Sequence, residues 1–508
     1  MDCFRMAGLA ALVAVVYAVS LVVYRLFFHP LRRFPGPKLA AATYLVEIYY
    51  NMFHGEGGQF VWEYRKWHER YGPIIRLNPD EIHIQDSSYH EEFYKPSRPV
   101  EKPKYHRDRF SNPSSANSSV EHAFHRMRRG ALNPSFSKQK VAEFAPQIQK
   151  LVEKVLNRLE NEYKGTGRVA NFSKMWGCFA SDVVMVFCFD RPSEFLDTPD
   201  FHSDLNQAMS DMIESVHALT YIPYFAKLTQ SLPEKLVKTL SPQIASVVDF
   251  TADLKSNIKG VMEAEARGEK TGDGIFRALL RSDLPPEEKT LPRLLDEGVS
   301  ILGAGSEATG RVISVACFFI LSDRRIFDKL TSELHAAIPD TSKMPTWAEL
   351  EQLPYLSAVV HESLRWSYPG SRMPRAWPGG ALQYGEWTIP PGTMVSMDNY
   401  AVSHDPTIFP DPFGFVPERW LGSPPPRAPD GKLLTRYMVA FARGTRSCTG
   451  MNVGWAEIYI ALANFFRSPM AKTARVYDTV KERDILMSRD MFAAKPRKGS
   501  KGVQIIID

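Results

Sequence analysis

Cysteine is scarce in this 508-residue chain, which has five, at Cys3, Cys178, Cys188, Cys317 and Cys448. The number is odd, and no two are spaced as a zinc pair or a small disulfide framework. That excludes a stapled secreted scaffold and fits free thiols in a reducing compartment. Net charge is scarce too: 62 basic and 57 acidic residues leave +5. So even a balance argues against nucleic acid as a partner, and any electrostatic partner must be met by a local cluster. Internal repeats are absent. What the chain has in quantity is apolar material, 44% hydrophobic with 12% aromatic, ample for one large core.

The longest uncharged stretch is MAGLAALVAVVYAVSLVVY, residues 6–24. A helix of this length just crosses a bilayer core of about 30 Å. Arg25, Arg32, Arg33 and Lys38 follow it, while Asp2 and Arg5 nearly cancel before it. The positive-inside rule then puts the bulk of the chain on the cytoplasmic side. A cleaved signal peptide is the competing reading, but the run is long, its leading region is weakly charged and the basic residues come after it. Phe34-Pro-Gly-Pro-Lys38 cannot continue a helix, so the anchor ends in a stiff turn.

Periodicity outlines the rest. Residues 61–71 suit an amphipathic helix, and 73–79 with 81–85 alternate as a hairpin. Residues 95–119, with prolines and a Ser/Asn cluster, read as a loop. Residues 141–290 read as largely helical, with an apolar stretch at 217–226 and a charged linker at 264–273. The stretch 217–226 caps a pocket, dips into the membrane or packs in the core. Residues 294–322 form a long apolar helix holding Gly298, Gly303, Gly305 and Gly310. Glycine in a helix interior costs about 1 kcal/mol against alanine, so four of them imply close packing or a distorted turn. Residues 387–393 read as a hairpin turn before a strand, and 451–467 as a helix.

Cys448 stands between Gly444 and Gly450 in FARGTRSCTG, residues 441–450. Alone, a cysteine in such a loop is usually inert core. A thiolate is also a strong, soft ligand for a transition metal, and on haem iron it favours O–O cleavage. The glycines let the backbone pass close to a flat macrocycle. The dipole of the helix opening after Gly450 favours the thiolate. Arg446 has the reach to pair with a macrocycle carboxylate.

This loop resembles the cysteine-ligand loop of the cytochrome P450 family, Phe-x-x-Gly-x-Arg-x-Cys-x-Gly. Phe441, Gly444, Arg446, Cys448 and Gly450 match every fixed position. Further family motifs precede it in order. His125 and Arg129, four residues apart on one helix face, match the pair the family aims at a haem propionate. Arg375, in Met-Pro-Arg, matches its propionate-binding strand arginine. Glu362, Arg365 and Arg419 match a buried structural network under the haem loop; a second histidine for a zinc-protease reading of His361-Glu362 is missing. HPLRRFPGPKL, residues 29–39, resembles the hinge of membrane-bound fungal-type members. Ala304-Gly-Ser-Glu-Ala-Thr309 resembles the oxygen-binding motif with one departure: Glu307 holds the acid position, but Ala308 replaces the first threonine. Thr309, the next residue, lies about 100° further round the helix.

The resemblance implies a mainly α fold with a small β region. One large haem domain (41–508) would stand behind a membrane anchor (1–28) and a Pro-rich hinge (29–40). Haem b is the implied cofactor, Cys448 its iron ligand, and Glu307 and Thr309 the catalytic pair. The implied activity is a monooxygenase hydroxylating or epoxidising an apolar molecule, such as a terpenoid of fungal secondary metabolism. Electrons would come from NADPH through a flavoprotein reductase. Arg126, Arg128, Lys138 and Lys140 are its expected docking patch, on the face nearest the cysteine. The implied location is the endoplasmic reticulum membrane, single-pass, with the catalytic domain in the cytosol. Two other classes remain open at this point: a haem-thiolate isomerase or dehydratase without need of dioxygen, and a non-catalytic haem-binding protein.

Overall fold

The computed structural model describes residues 2–189, 194–222, 242–269, 272, 274–367 and 371–508. The part of the apolar stretch beyond residue 222 lies outside them, as does most of the linker end at 270–273. Helix α1, Asp2–Val23, begins the chain and passes into a π-helical turn, Tyr24–Phe28. Phe4–Phe28 is apolar, 25 residues long and unburied by the rest of the protein, long enough to cross a bilayer core of about 30 Å. Two further helices are apolar enough to span but are 67% buried inside the fold, which marks them as core.

The turn after the anchor is seated, not free. The Arg76 N–H donates to Pro35 O at 2.6 Å, and its guanidinium donates to Arg25 O at 2.8 Å. Gly36 has φ +142, and a Cβ there would stand 2.7 Å from Arg76 O. Only glycine lets the hinge lie this close to the sheet.

That sheet is the small β region. Strands β1, Ile74–Asn78, and β2, Glu81–Ile84, form the expected hairpin. Alternation suggested one wet face, yet both strands are buried throughout. Ile74, Ile82 and Ile84 join one apolar cluster and Ile75 and Leu77 another, so the sheet is covered on both sides. The next strands are β3, Ala170–Asn171, β4, Arg375–Ala376, β5, Leu382–Tyr384, β6, Trp387–Ile389, and β7, Met394–Ser396. The main sheet runs β1-β2-β7-β4, with β2 and β7 parallel. The turn at 390–393 does not close a hairpin between β6 and β7; β6 pairs back with β5. Later come β8, Ala474–Tyr477, β9, Arg489–Met491, β10, Ala493–Lys495, and β11, Gln504–Ile507. β9 and β10 form a hairpin, and β11 lies between β3 and β8.

Helices carry the core. They include α2, Phe60–Tyr71, α3, His122–Leu132, α4, Lys138–Glu162, α5, Phe172–Phe189, and α6, Asp204–Glu214. After these come α7, Pro242–Ala266, α8, Leu291–Ser322, α9, Arg324–Ala337, α10, Pro354–Arg365, and α11, Met451–Arg467. The charged linker therefore begins three residues later than its composition suggested, because α7 runs on to Ala266.

Helix α8 is the spine and is unbroken through 304–309. All four glycines are contact points, not a distorted turn. A Cβ at Gly310 would lie 2.7 Å from Gly177 N and 2.8 Å from Trp176 O, backbone atoms of α5. At Gly305 it would lie 2.4 Å from Val184 Cγ2, and at Gly298 3.1 Å from Leu254 and Phe276. At Gly303 the nearest atom is Met209 Sδ, 3.1 Å away. Alanine gains about 1 kcal/mol of helix propensity, but at Gly310 it meets backbone that cannot turn aside. Gly310→Ala is therefore expected to lose about 1–3 kcal/mol net, read as a lower urea midpoint at unchanged slope. Gly303→Ala, facing a flexible methionine, is expected to lose far less.

Candidate active site

Cys448 is carried by a tight turn. Gly444 has φ +74, and a Cβ there would stand 2.5 Å from Tyr94 O. Ala442 also has positive φ, at 54. The turn closes with the Cys448 N–H donating to Phe441 O at 2.8 Å. Helix α11 then opens at once, with Gly450 as its N-cap. Of the cysteines beyond the anchor helix, all free, Cys178, Cys188 and Cys317 are buried and Cys448 is exposed. Even so, its surroundings are desolvated: burial pushes its thiol up, opposed by the Gly450 N–H and the Arg129 guanidinium. An open thiol set deep in the fold at a helix N-terminus has the geometry of a metal ligand.

The loop is braced from below. Glu362 and Arg365 on α10 are fully buried and paired at 2.7 Å, and Arg419 reaches the same carboxylate at 3.3 Å. Trp420 Nε1 donates to Glu362 at 2.9 Å and the Val416 N–H at 2.9 Å. Arg365 also donates to the carbonyls of Ser403, Pro412 and Gly414. Two guanidinium groups thus share the one Glu362 carboxylate, and backbone carbonyls, including those of Pro410 and Asp411 for Arg419, take up their remaining donors.

Above the loop, cations gather without ion-pair partners, although Glu101 and Glu121 act on Arg446 from further off. Lys102, Arg375 and Arg446 are 6%, 4% and 8% exposed. Lys102 donates to Asn117, Arg375 to the carbonyl of Pro374, and Arg446 to those of Val100, Ser119 and Val120. Among the described residues no carboxylate is within ion-pair distance of any of the three. Burial depresses all three, and Arg375 lowers the other two further; Lys102 falls well below its usual range and Arg446 to about 9. His125 and His106 are buried beside them, each with an unpartnered Nδ1. Burial and the neighbouring cations push His125 down to about 2. Arg129 stands elsewhere than the paired spacing suggested. It donates to the carbonyls of Ser447 and Cys448, so it clamps the cysteine turn.

These residues fit iron protoporphyrin IX. It would offer iron to the Cys448 sulfur and two carboxylates to a set of buried cations that have none. Lys102 and His106 could not be found from sequence, because they lie in a polar, proline-containing loop that reads as solvated. The loop is buried by α8: Ser114 N–H donates to Asp296 at 2.8 Å and Ala116 N–H to Glu297 at 3.0 Å.

On α8, Glu307 pairs with Lys495 of β10, which also reaches Ser210 of α6 at 3.4 Å. Thr309 is buried against α11. Its Oγ1 lies 3.9 Å from where a Gly454 Cβ would be, and it faces the Glu457 carboxyl closely enough to pull that group's pKa down. The catalytic pair read from sequence is thus split between two faces of α8. The basic patch needs a correction too. Arg128 is drawn inward by Glu288 at 2.7 Å, since that acid is also shared with buried Arg293. Arg126 stays exposed, and Lys138 and Lys140 are exposed but paired with Glu351 and Glu143.

Burial pushes the Glu457 carboxyl up to about 8, against a smaller opposing pull from Thr309. The folded chain therefore keeps a proton that the unfolded chain releases near the ordinary 4.5. Stability from this group is full below that value and is lost as pH rises toward 8. Glu457→Gln is expected to remove that part of the decline, measured as the difference between urea midpoints at pH 5 and pH 8.

Comparison with known proteins agrees with this geometry. The family model "Cytochrome P450" matches residues 42–492. "Cytochrome P450 monooxygenase orf4" of Eupenicillium brefeldianum is 40% identical over 99% of this chain and 98% of its own. "Cytochrome P450 monooxygenase TRI4" of Trichoderma arundinaceum is 35% identical over 97% and 93%. "Conidiogenone synthase PchP450" of Penicillium rubens is 34% identical over 89% of each. Among solved structures, a cytochrome P450DA heme domain superposes with a TM-score of 0.69 at 16% identity, over 89% of this chain and 93% of that one. A sulfur set to meet iron, buried cations set to meet its carboxylates and near-full-length kinship converge: the chain belongs to the cytochrome P450 family, as a haem-binding monooxygenase.

Proposed function

We propose that the chain inserts one oxygen atom of dioxygen into an apolar secondary metabolite of the terpenoid kind, by hydroxylation or epoxidation. Relatives with names such as conidiogenone synthase support metabolite chemistry. The observation that carries the reading is Cys448, an open thiol at the α11 N-terminus beneath buried cations that lack a counter-charge.

Haem b, when bound, supplies the dioxygen-activating chemistry. The chain's residues do the rest. Cys448 is the iron ligand, and Phe441, Gly444 and Gly450 shape its turn. Lys102, Arg375, Arg446, His106 and His125 receive the carboxylates, and Arg129 fixes the turn's carbonyls. Glu362, Arg365 and Arg419 are structural. Glu307, poised by Lys495 beside the segment where Ala308 removes a hydroxyl, is the acid that passes protons inward through water. Thr309, engaged by Glu457, is not part of that path.

Residues 1–28 anchor the chain, 29–40 are the seated hinge and 41–508 form the catalytic domain. The location is the endoplasmic reticulum membrane, single-pass, with the domain in the cytosol. A flavoprotein reductase fed by NADPH docks on the face of Arg126, Lys138 and Lys140. Lys138 and Lys140 exchange their exposed pairings for its acids, which at such a surface costs about 1 kcal/mol or less each.

The reduced, carbon-monoxide-bound spectrum is expected to show the long-wavelength Soret band of thiolate ligation, and Cys448→Ser to lose it; a band unchanged by the mutation removes the ligand assignment. With a turned-over substrate, Glu307→Gln is expected to lower product per NADPH at least about tenfold. Thr309→Ala should stay within about twofold. The reverse order would restore Thr309 to the proton path.

A further inference from the structure

Where Lys or Arg residues stand side by side at 32–33, 65–66, 128–129 and 324–325, the residue two further on is Pro35, His68, Ala131 or Phe327. At Arg497-Lys498 it is Ser500. A serine with lysine and arginine two and three residues before it suits a protein kinase whose substrate groove is acidic. Carboxylates there hold the arginine fork and aim the hydroxyl.

The fold presents this stretch. Beyond β10 the chain turns at 497–500, and the Ser500 N–H donates to Arg497 O at 3.1 Å. Arg497, Lys498 and Gly499 are exposed. A Cβ at Gly499 would meet nothing within 4 Å, so the turn projects into open space. Among the described residues, neither cation has an ion pair or a side-chain hydrogen bond. Exposed turn tips are where modifying enzymes reach a folded chain.

Ser500 also fastens the turn to the body of the protein. Its Oγ–H donates to Asp484 at 2.8 Å, and it accepts the Gly502 N–H at 3.2 Å. Asp484 is 3% exposed. It accepts the N–H groups of Val480 and Lys501 at 2.8 and 2.9 Å, and the Arg483 guanidinium at 3.1 Å. A phosphate on Ser500 removes a donor and sets up to about two negative charges beside this buried carboxylate, which drives the two apart. The disturbance has a path inward. Asp484 lies in the turn Lys481–Ile485, and the Ile485 carbonyl accepts Arg311 of α8 at 2.9 Å. On the other side, the chain just before the turn is β10, whose Lys495 holds Glu307 of α8.

We propose that Ser500 is a phosphorylation site read by a basophilic protein kinase, and that its phosphate frees the 497–501 turn from Asp484 and slows oxidation. In the transfer, the bond from the γ-phosphorus to its bridging oxygen breaks and a nucleoside diphosphate leaves. The bond from Ser500 Oγ to phosphorus forms, and the hydroxyl proton passes to the kinase's carboxylate base. This rests on the cytosolic placement and the monooxygenase reading above, and adds their regulation.

The test exposes the haem-loaded full chain to cAMP-dependent protein kinase with magnesium ATP and maps phosphate by peptide mass. About one phosphate per chain is expected, at Ser500. Ser500→Ala should lose it, and Arg497→Ala should slow its uptake at least about tenfold, the scale of one charge-assisted contact. With reductase and a turned-over substrate, the phosphorylated chain should form product at least about threefold more slowly, and phosphatase should restore the rate. A chain that takes up no phosphate at Ser500 overturns the proposal, even if no variant folds. So does uptake indifferent to Arg497→Ala, or full phosphorylation that leaves product formation unchanged. Mass reports the modification alone, so the site can fail while NADPH-dependent turnover stands, and the reverse.

Discussion

Buried positive charge without a matching anion is the constraint on which this structure turns. Lys102, Arg375 and Arg446 share a desolvated region in which burial depresses all three and Arg375 depresses the other two further. Taking a cation out of water is unfavourable by several kcal/mol, and an opposite charge in good geometry is what restores the balance. The chain supplies carbonyls, which solvate the guanidinium groups but do not neutralise them. A cofactor with two carboxylates does both, so its binding and the local stability of this region are one quantity.

The rest of the architecture brings that region over Cys448. Helix α8 crosses α5 at Gly310 and Gly177 with backbones nearly touching, which lets the spine run straight beneath the loop of Lys102. Asp296 and Glu297 on that spine tie the loop down. From the other side, the Glu362 network fixes the segment before the cysteine turn. Two buried ionic systems thus face one another: in one a single carboxylate joins two guanidinium groups, and in the other no carboxylate lies at ion-pair distance among the described residues. The first gives the sulfur a rigid seat, and the second leaves room for specificity.

Much of this was legible in the sequence where chemistry is local. The turn at 441–450 carries its own instructions, because Gly444 must accept positive φ and Gly450 must open a helix. The α11 limits and the β1–β2 hairpin follow from short-range patterning. Pairings across the chain were not legible. β2 lies beside β7, and Lys495 on Glu307, through contacts that no periodicity encodes. Loop 95–119 has the composition of a solvated segment, and nothing local tells that α8 buries it; hence Lys102 and His106 went unread. Arg128 looked like a surface charge because its partner Glu288 lies far along the chain. Thr309 and Ala308 differ by one position, but on a helix that turns a hydroxyl from one neighbour to another, here Glu457.

The measurement closest to the central claim is a competition for the apo chain between iron protoporphyrin IX and its dimethyl ester, which keeps the iron and removes both negative charges. If buried cations await two carboxylates, the ester should bind at least about a hundredfold more weakly, since each pairing is a charge-assisted contact in a desolvated site. Equal affinity would mean that Lys102, Arg375 and Arg446 are satisfied by the protein alone, and the account of this site would fail.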